Sequence, residues 1–192
     1  MSLPTDYFDE MYARSDDPWG FTQRWYEQRK YALTLAALPG RRYTRALEVG
    51  CSVGVLTAHL ADRCDTLTAL DPSASALRSA ATRVPGHVRL VQGAVPTDWP
   101  EGRYDLILLS EVAYYLDDHD LDALLELVDR DLAGDLVACH WRHPVADYPQ
   151  TGDAVHARIA ARFTRLSRYE DQDVLLEVFG DGPGVARREG LV

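Results

Sequence analysis

Short apolar runs alternate with stretches of helical periodicity through most of this chain, and the alternation predicts its elements. Residues 46–49 read as a strand that turns through Gly50 and Gly54 into a helix over 53–63. Residues 66–71 read as a second strand and 73–83 as a helix opened by Asp71-Pro72. Pro85-Gly86 then turns the chain into a third strand at 87–92. After a loop at 94–103, Tyr104–Ser110 is a nearly unbroken apolar run, the pattern of a strand buried on both faces. Leu121, Leu124, Leu125 and Val128 give 118–132 a helical stripe that Gly134 ends. Residues 136–141 form the fifth strand, and 151–163 a helix with Val155, Ile159 and Phe163 along one side.

The two ends read differently. Residues 165–170 and 174–179 are strand-like and joined only by Asp171-Gln172-Asp173, so they must pair as an antiparallel hairpin, because a parallel pair needs a crossover of a dozen residues or so. The acidic, aromatic start reads as a short helix and a loop at Asp16-Asp17-Pro18-Trp19-Gly20. A helix over 21–38 follows, stopped by Pro39-Gly40. The expected organisation of residues 1–192 is one α/β domain: a helical cap (1–40), a core of parallel strands with helices on both faces (45–180) and a frayed tail (181–192).

In such a sheet, ligands bind beyond the carboxyl ends of the strands, which here carry Gly50, Asp71, Gly93-Ala94, Ser110-Glu111 and His140-Trp141-Arg142-His143. The glycine turn narrows the choice of ligand. A dinucleotide fingerprint would need glycine where Ser52 and Val55 stand, and a phosphate loop would need a Gly-Lys-Ser/Thr run. What remains, Glu48-x-Gly50-x-x-x-Gly54 with Cys51 inside it and Ser52 at the middle glycine position, resembles the first motif of class I S-adenosylmethionine (SAM) methyltransferases. Asp71 lies about twenty residues beyond Gly50, where a ribose-binding carboxylate belongs. It could also cap the helix opened by Pro72, but the spacing to the glycine turn favours the ribose role, and the two roles are compatible.

The same resemblance implies a three-layer, Rossmann-like sheet of seven strands closed by the C-terminal hairpin. Cofactor contacts are expected at Glu48, Gly50, Cys51, Gly54, Asp71, Pro72, Ala94 and Ser110. Ala94 stands where the superfamily commonly puts an acid for adenine, a contact left to Asp98 or a backbone carbonyl. From the cap, Arg24 or Lys30 are candidates for the cofactor carboxylate and Trp19 for stacking on a cation, against the ordinary role of solvated helical charges and packed aromatics.

Methyl transfer from a sulfonium asks mainly for alignment and exclusion of water, and an amine acceptor must lose a proton. Glu111, directly after the central strand, is the first candidate to take or share it, or else an acid that simply opens a helix. His140 and His143 are candidate bases or substrate donors. Their spacing also suggests a metal, but no third ligand accompanies them, so none is expected. Tyr114, Tyr115, Trp141 and Arg142 are candidate acceptor contacts.

More particular runs narrow the resemblance. Asp17-Pro18-Trp19-Gly20-Phe21 with Arg24-Trp25-Tyr26-Glu27, Leu109-Ser110-Glu111-Val112 with Tyr114-Tyr115-Leu116, His140-Trp141-Arg142-His143-Pro144 and Thr151-Gly152-Asp153 look like the NodS family. These are SAM-dependent N-methyltransferases of nodulation acting on the free amine of a deacetylated chitooligosaccharide. The resemblance spans nearly the whole chain and implies N-methylation of an amino sugar or similar primary amine, with S-adenosylhomocysteine as coproduct. A small-molecule O-methyltransferase and a non-catalytic SAM-binding domain are the alternatives.

Composition limits the partners. A formal charge of −10 without a segregated basic patch disfavours nucleic acid. Three scattered cysteines argue against a disulfide framework and fit a reducing cytoplasm. No apolar stretch approaches a membrane span. The expectation is a cytoplasmic monomer or homodimer with a small-molecule or oligosaccharide acceptor.

Overall fold

The computed structural model describes residues 1–192. Its strands are β1 (Tyr43–Val49), β2 (Cys64–Asp71), β3 (Val88–Gln92), β4 (Tyr104–Ser110), β5 (Leu132–Trp141), β6 (Arg165–Glu170) and β7 (Val174–Phe179). They form one sheet in the order β3-β2-β1-β4-β5-β7-β6, parallel from β3 to β5 and antiparallel at β5-β7 and β7-β6. The helices are α1 (Thr5–Arg14), α2 (Trp25–Ala37), α3 (Val55–Ala61), α4 (Ala74–Ala80), α5 (Asp118–Asp131), α6 (Gly152–Arg162) and α7 (Val185–Arg188).

The unbroken apolar run of β4 is explained by two cores. Ile107 and Leu109 pack on one side with Leu121, Leu124, Leu125 and Val128 of α5 and Val155 and Ile159 of α6. Leu106 and Leu108 pack on the other with Tyr31 of α2 and Leu56 and Leu60 of α3. Both faces of the central strands are covered, giving three layers. The chain winds outward from β1 in both directions, so the crevice of this sheet falls at the carboxyl ends of β1 and β4.

Several boundaries differ from the sequence reading, each for a local reason. Helix α3 starts at Val55 because Gly54, at φ +79°, ends the turn in a left-handed conformation. Helix α2 starts at Trp25. The residues before it are wound into a turn by Asp17, whose carboxylate accepts from Phe21 N (2.7 Å), Thr22 N (2.9 Å) and Thr22 Oγ1 (2.7 Å). Gly134 lies inside β5 rather than ending a helix. A Cβ there would stand 2.3 Å from the Asp105 carbonyl oxygen, so glycine lets β5 approach β4 closely. The segment read as a frayed tail carries the short helix α7, and Arg188 reaches back to the buried Asp135 (2.8 Å), which also accepts from Tyr43 Oη (2.9 Å). No helix is long and apolar enough to cross a membrane.

Candidate active site

The loops after β1, β2, β3 and β4 open into one cleft of about 1020 Å³, its mouth included. Strand β1 hands over to Gly50 at φ +77°, and the N–H groups of Gly50 and Cys51 both donate to the Leu70 carbonyl (2.8 and 3.0 Å), tying the turn to the end of β2. Ser52 follows at φ +50°, a left-handed conformation that suits the glycine usual in the motif. Its hydroxyl is bonded to that of Tyr12, and its N–H donates to Asp71 Oδ2 (2.8 Å).

Asp71 takes a second backbone donor, Ser73 N, on Oδ1 (2.9 Å). Each of its oxygens therefore keeps capacity for one more donor, at the wall of the cleft. Burial pushes its pKa up to about 6 against the help of those two N–H groups. Glu48, in the wall beside it, is pushed up to about 8 by burial, with Oε2 left without a partner. A buried acid raised in this way binds a proton in the folded state that the unfolded chain releases, so it costs stability as pH rises from the unfolded pKa to the folded one. Glu48→Gln is accordingly expected to gain stability relative to wild type between about pH 5 and about pH 8 and to level off beyond, as read by denaturant midpoints. A difference independent of pH would mean that Glu48 ionises normally.

The opposite wall is built around Glu111, which sits at φ +56° where β4 ends, a strained conformation for a residue with a side chain. Its Oε1 accepts from Lys30 Nζ (2.8 Å), and its Oε2 accepts from Trp141 N (3.0 Å) and from the Tyr114 hydroxyl. Lys30 is 2% exposed and also pairs with Glu27 Oε2 (2.8 Å). Burial works against its ammonium, but the charges of Glu111 and Glu27 outweigh it and hold the group above the ordinary lysine range. The roof comes from the N-terminal segment: Leu3, Thr5, Phe8, Tyr12, Trp19 and Phe21 all face the cleft. Leu3 N donates to the Tyr115 carbonyl (2.9 Å), and Phe8 packs edge-on against the Tyr115 ring (5.0 Å).

Of the residues expected to hold a cofactor, Trp19, Lys30, Glu48, Gly50, Cys51, Asp71, Pro72, Ala94 and Ser110 line this cleft. Two do not. Gly54 faces α4, where a Cβ would meet that of Ala80 at 2.8 Å, and Arg24 is an exposed residue folded back over Gly20. Asp98 is not among the residues lining the cleft, and its Oδ2 accepts from Ala94 N (2.9 Å).

Among the candidate catalytic and acceptor residues, Glu111 and Tyr115 reach the cleft. His140 is fully buried behind it, and His143 is an exposed residue paired with Asp173 (2.8 Å), so the two histidines do not converge. Tyr114 is buried and acts on Glu111 through its hydroxyl. Trp141 packs edge-on against Tyr26 (5.0 Å) outside the cleft, and Arg142 is held by Asp153 (2.8 and 2.9 Å) and Glu170 (2.9 Å). Sequence reasoning missed Phe8 and Tyr12, whose one-turn spacing on α1 was the available signal, and Glu27, whose burial only the packed structure reveals.

Known proteins share this fold and part of this sequence. The sequence model of the family described as Nodulation protein S (NodS) matches residues 8–140. Nodulation protein S of Rhizobium tropici is 36% identical over 107 residues, 54% of this chain and 45% of that protein, so the match spans about half the length of this curated relative. A Pseudomonas syringae crystal structure described as a candidate methyltransferase is 44% identical, with TM-score 0.73 over 82% of this chain and 100% of that one. The N-methyltransferase NodS from Bradyrhizobium japonicum, in complex with S-adenosyl-L-homocysteine, is 25% identical, with TM-score 0.83 over 91% of this chain and 96% of that one. Its fold is that of the class I SAM methyltransferases, and with the family match covering well over half of its residues, the chain belongs to the NodS family.

Proposed function

We propose that this protein is a SAM-dependent N-methyltransferase whose acceptor is the primary amine of an amino sugar, such as a deacetylated chitooligosaccharide. The observation that carries the reading is the charge of the cleft, whose wall holds the carboxylates of Asp71 and Glu111, with the protonated carboxyl of Glu48 beside them, against the single ammonium of Lys30. Such a wall favours a sulfonium and an amine over carboxylate or phosphate acceptors.

The residues present fit the cofactor. Asp71 has two open acceptor positions for the vicinal ribose hydroxyls, Gly50 presents no side chain at the turn, and Lys30 keeps donors beyond the one bonded to Glu111. When bound, SAM supplies a methyl group on a positively charged sulfur. The protein aligns the acceptor with it and excludes water, a task for the aromatic roof of Phe8, Tyr12 and Trp19. Glu111 handles the proton. A carboxylate offers about four lone-pair sites, and three are taken by Lys30, Tyr114 and Trp141, leaving one for an acceptor N–H. That contact orients the nitrogen and stabilises the charge it gains.

The test is mass spectrometry of products after incubation with SAM and matched acceptors. Glucosamine oligomers are expected to gain one methyl on nitrogen, while phenols and carboxylates stay unmodified. Methylation of the phenols alone would overturn the amine assignment, and no product from any acceptor despite SAM binding would overturn catalysis.

A further inference from the structure

Behind the cleft, three buried side chains form a single file with no part in the chemistry above. Ala113 N donates to His140 Nε2 (3.2 Å), His140 Nδ1 lies 3.1 Å from His156 Nε2, and His156 Nδ1 lies 2.7 Å from Glu177 Oε2. The far end is anchored by Arg165 and Arg168, which donate to Glu177 Oε1 (2.9 and 3.0 Å). His140 and Glu177 are 0% exposed and His156 2%.

The protons in this file are fixed from both ends. A backbone N–H can only donate, so His140 Nε2 must keep its lone pair, and a ring with its lone pair there carries its proton on Nδ1. His140 Nδ1 then donates to His156 Nε2, which leaves the His156 proton on Nδ1 to donate to Glu177. Burial, seconded by the charge of Lys30, pushes His140 well below the ordinary histidine range, in keeping with an uncharged ring. At the other end Glu177 is held below the ordinary carboxylate range: burial acts against its charge, but His156 and the two arginines outweigh it.

The near end touches the Glu111 loop at several points. Ala113 opens the 3-10 turn Ala113–Tyr115 just after Glu111, the His140 ring packs edge-on against Tyr114 (5.2 Å), and Trp141, the residue after His140, donates its N–H to Glu111. Glu111 itself sits at φ +56°, a conformation that persists only where the surroundings hold it. We propose that Glu177 and His156 are positioning residues which, by dictating the tautomer of His140, hold the turn after β4 and the Glu111 carboxylate in the geometry that receives the acceptor amine. The inference rests on the assignment of Glu111 to the amine.

Glu177→Gln tests it, because an amide N–H pointed at His156 Nδ1 permits the reverse tautomers, which would set His140 Nε2–H against Ala113 N–H. The expected result is a kcat lowered about tenfold, the order that slight misplacement of a reacting group produces, with the SAM dissociation constant within about twofold of wild type. Imidazole nitrogen NMR of the wild-type protein supplies a readout that needs no variant: His140 and His156 are expected as Nδ1–H tautomers. His156→Phe, which cuts the file in the middle, is expected to repeat the kcat loss. Wild-type kcat in either variant, an Nε2–H signal at His140 in the wild type, or equal loss of kcat and SAM affinity would overturn the proposal. Glu111→Gln separates the two levels: lost turnover there with normal turnover in Glu177→Gln removes the positioning chain alone, whereas wild-type turnover in Glu111→Gln removes the amine assignment and the chain with it.

Discussion

Replacing Asp71 with alanine is expected to weaken SAM binding by about 2 kcal/mol or more, a dissociation constant raised roughly thirtyfold, as loss of a pair of charge-assisted hydrogen bonds would. Each carboxylate oxygen already accepts one backbone N–H, from Ser52 and from Ser73, and each retains a position for a ribose hydroxyl. Alanine also releases those two N–H groups, so part of any loss would come from a loosened turn. The pH dependence separates the causes. With its pKa pushed up to about 6, Asp71 is ionised at neutral pH and protonated below that value. Ribose donors favour the ionised form, so binding draws the pKa down and affinity falls as pH drops through about 6 toward the bound-state value. Asp71→Asn, which leaves an acceptor for one of the two N–H groups, is expected to bind weakly and without that dependence. Titration calorimetry with SAM and S-adenosylhomocysteine over this range checks both. An unchanged dissociation constant in Asp71→Ala, or a wild-type affinity indifferent to pH, would count against the ribose contact.

The sheet was legible because its signals are local. The apolar run of β4 announces two covered faces, and the short turn at Asp171-Gln172-Asp173 permits only an antiparallel hairpin. The glycine turn and Asp71 were legible for the same reason, their spacing being set by one strand-helix-strand unit. Partnerships across the fold were not. Nothing in the order of residues says that His140 points inward to His156 while His143, three positions on, points out to Asp173, since that follows from which face of the β5 end is covered by α6. Arg142 reads in the sequence as a candidate acceptor contact, and the fold supplies Asp153 and Glu170 as its partners. Lys30 shows the reverse: an ordinary helical lysine in the sequence becomes a buried ammonium between two acids, and the cleft owes its only positive charge to it. Gly134 read as a helix stop because glycine commonly is one. Its real constraint, the nearness of the Asp105 carbonyl, belongs to a neighbouring strand.

Glu111→Gln is expected to lower kcat about a hundredfold while the SAM dissociation constant stays within about twofold, the size usual for loss of a positioned proton acceptor. The amide cannot satisfy its surroundings. Three donors converge on the carboxylate, Lys30 on Oε1 and Tyr114 with Trp141 N on Oε2, and whichever way the amide is turned its NH2 faces at least one of them. Turned toward Lys30, it leaves an ammonium with Glu27 as its only acid; turned the other way, it opposes a backbone N–H that cannot rotate. A stability loss of about 1–3 kcal/mol should therefore accompany the kinetic defect, and thermal melting must be measured alongside turnover. Stability alone cannot reproduce the pattern, because a protein that is merely less folded loses active sites and SAM sites in equal proportion. The discriminating variant is Glu111→Asp, which keeps the charge and the affinity for an amine but draws the carboxylate back from it, so that kcat falls further than SAM binding or melting temperature. If both variants turned over amino-sugar acceptors at the wild-type rate, the acid at the end of β4 would be a structural partner of Lys30 and the amine would find its base elsewhere.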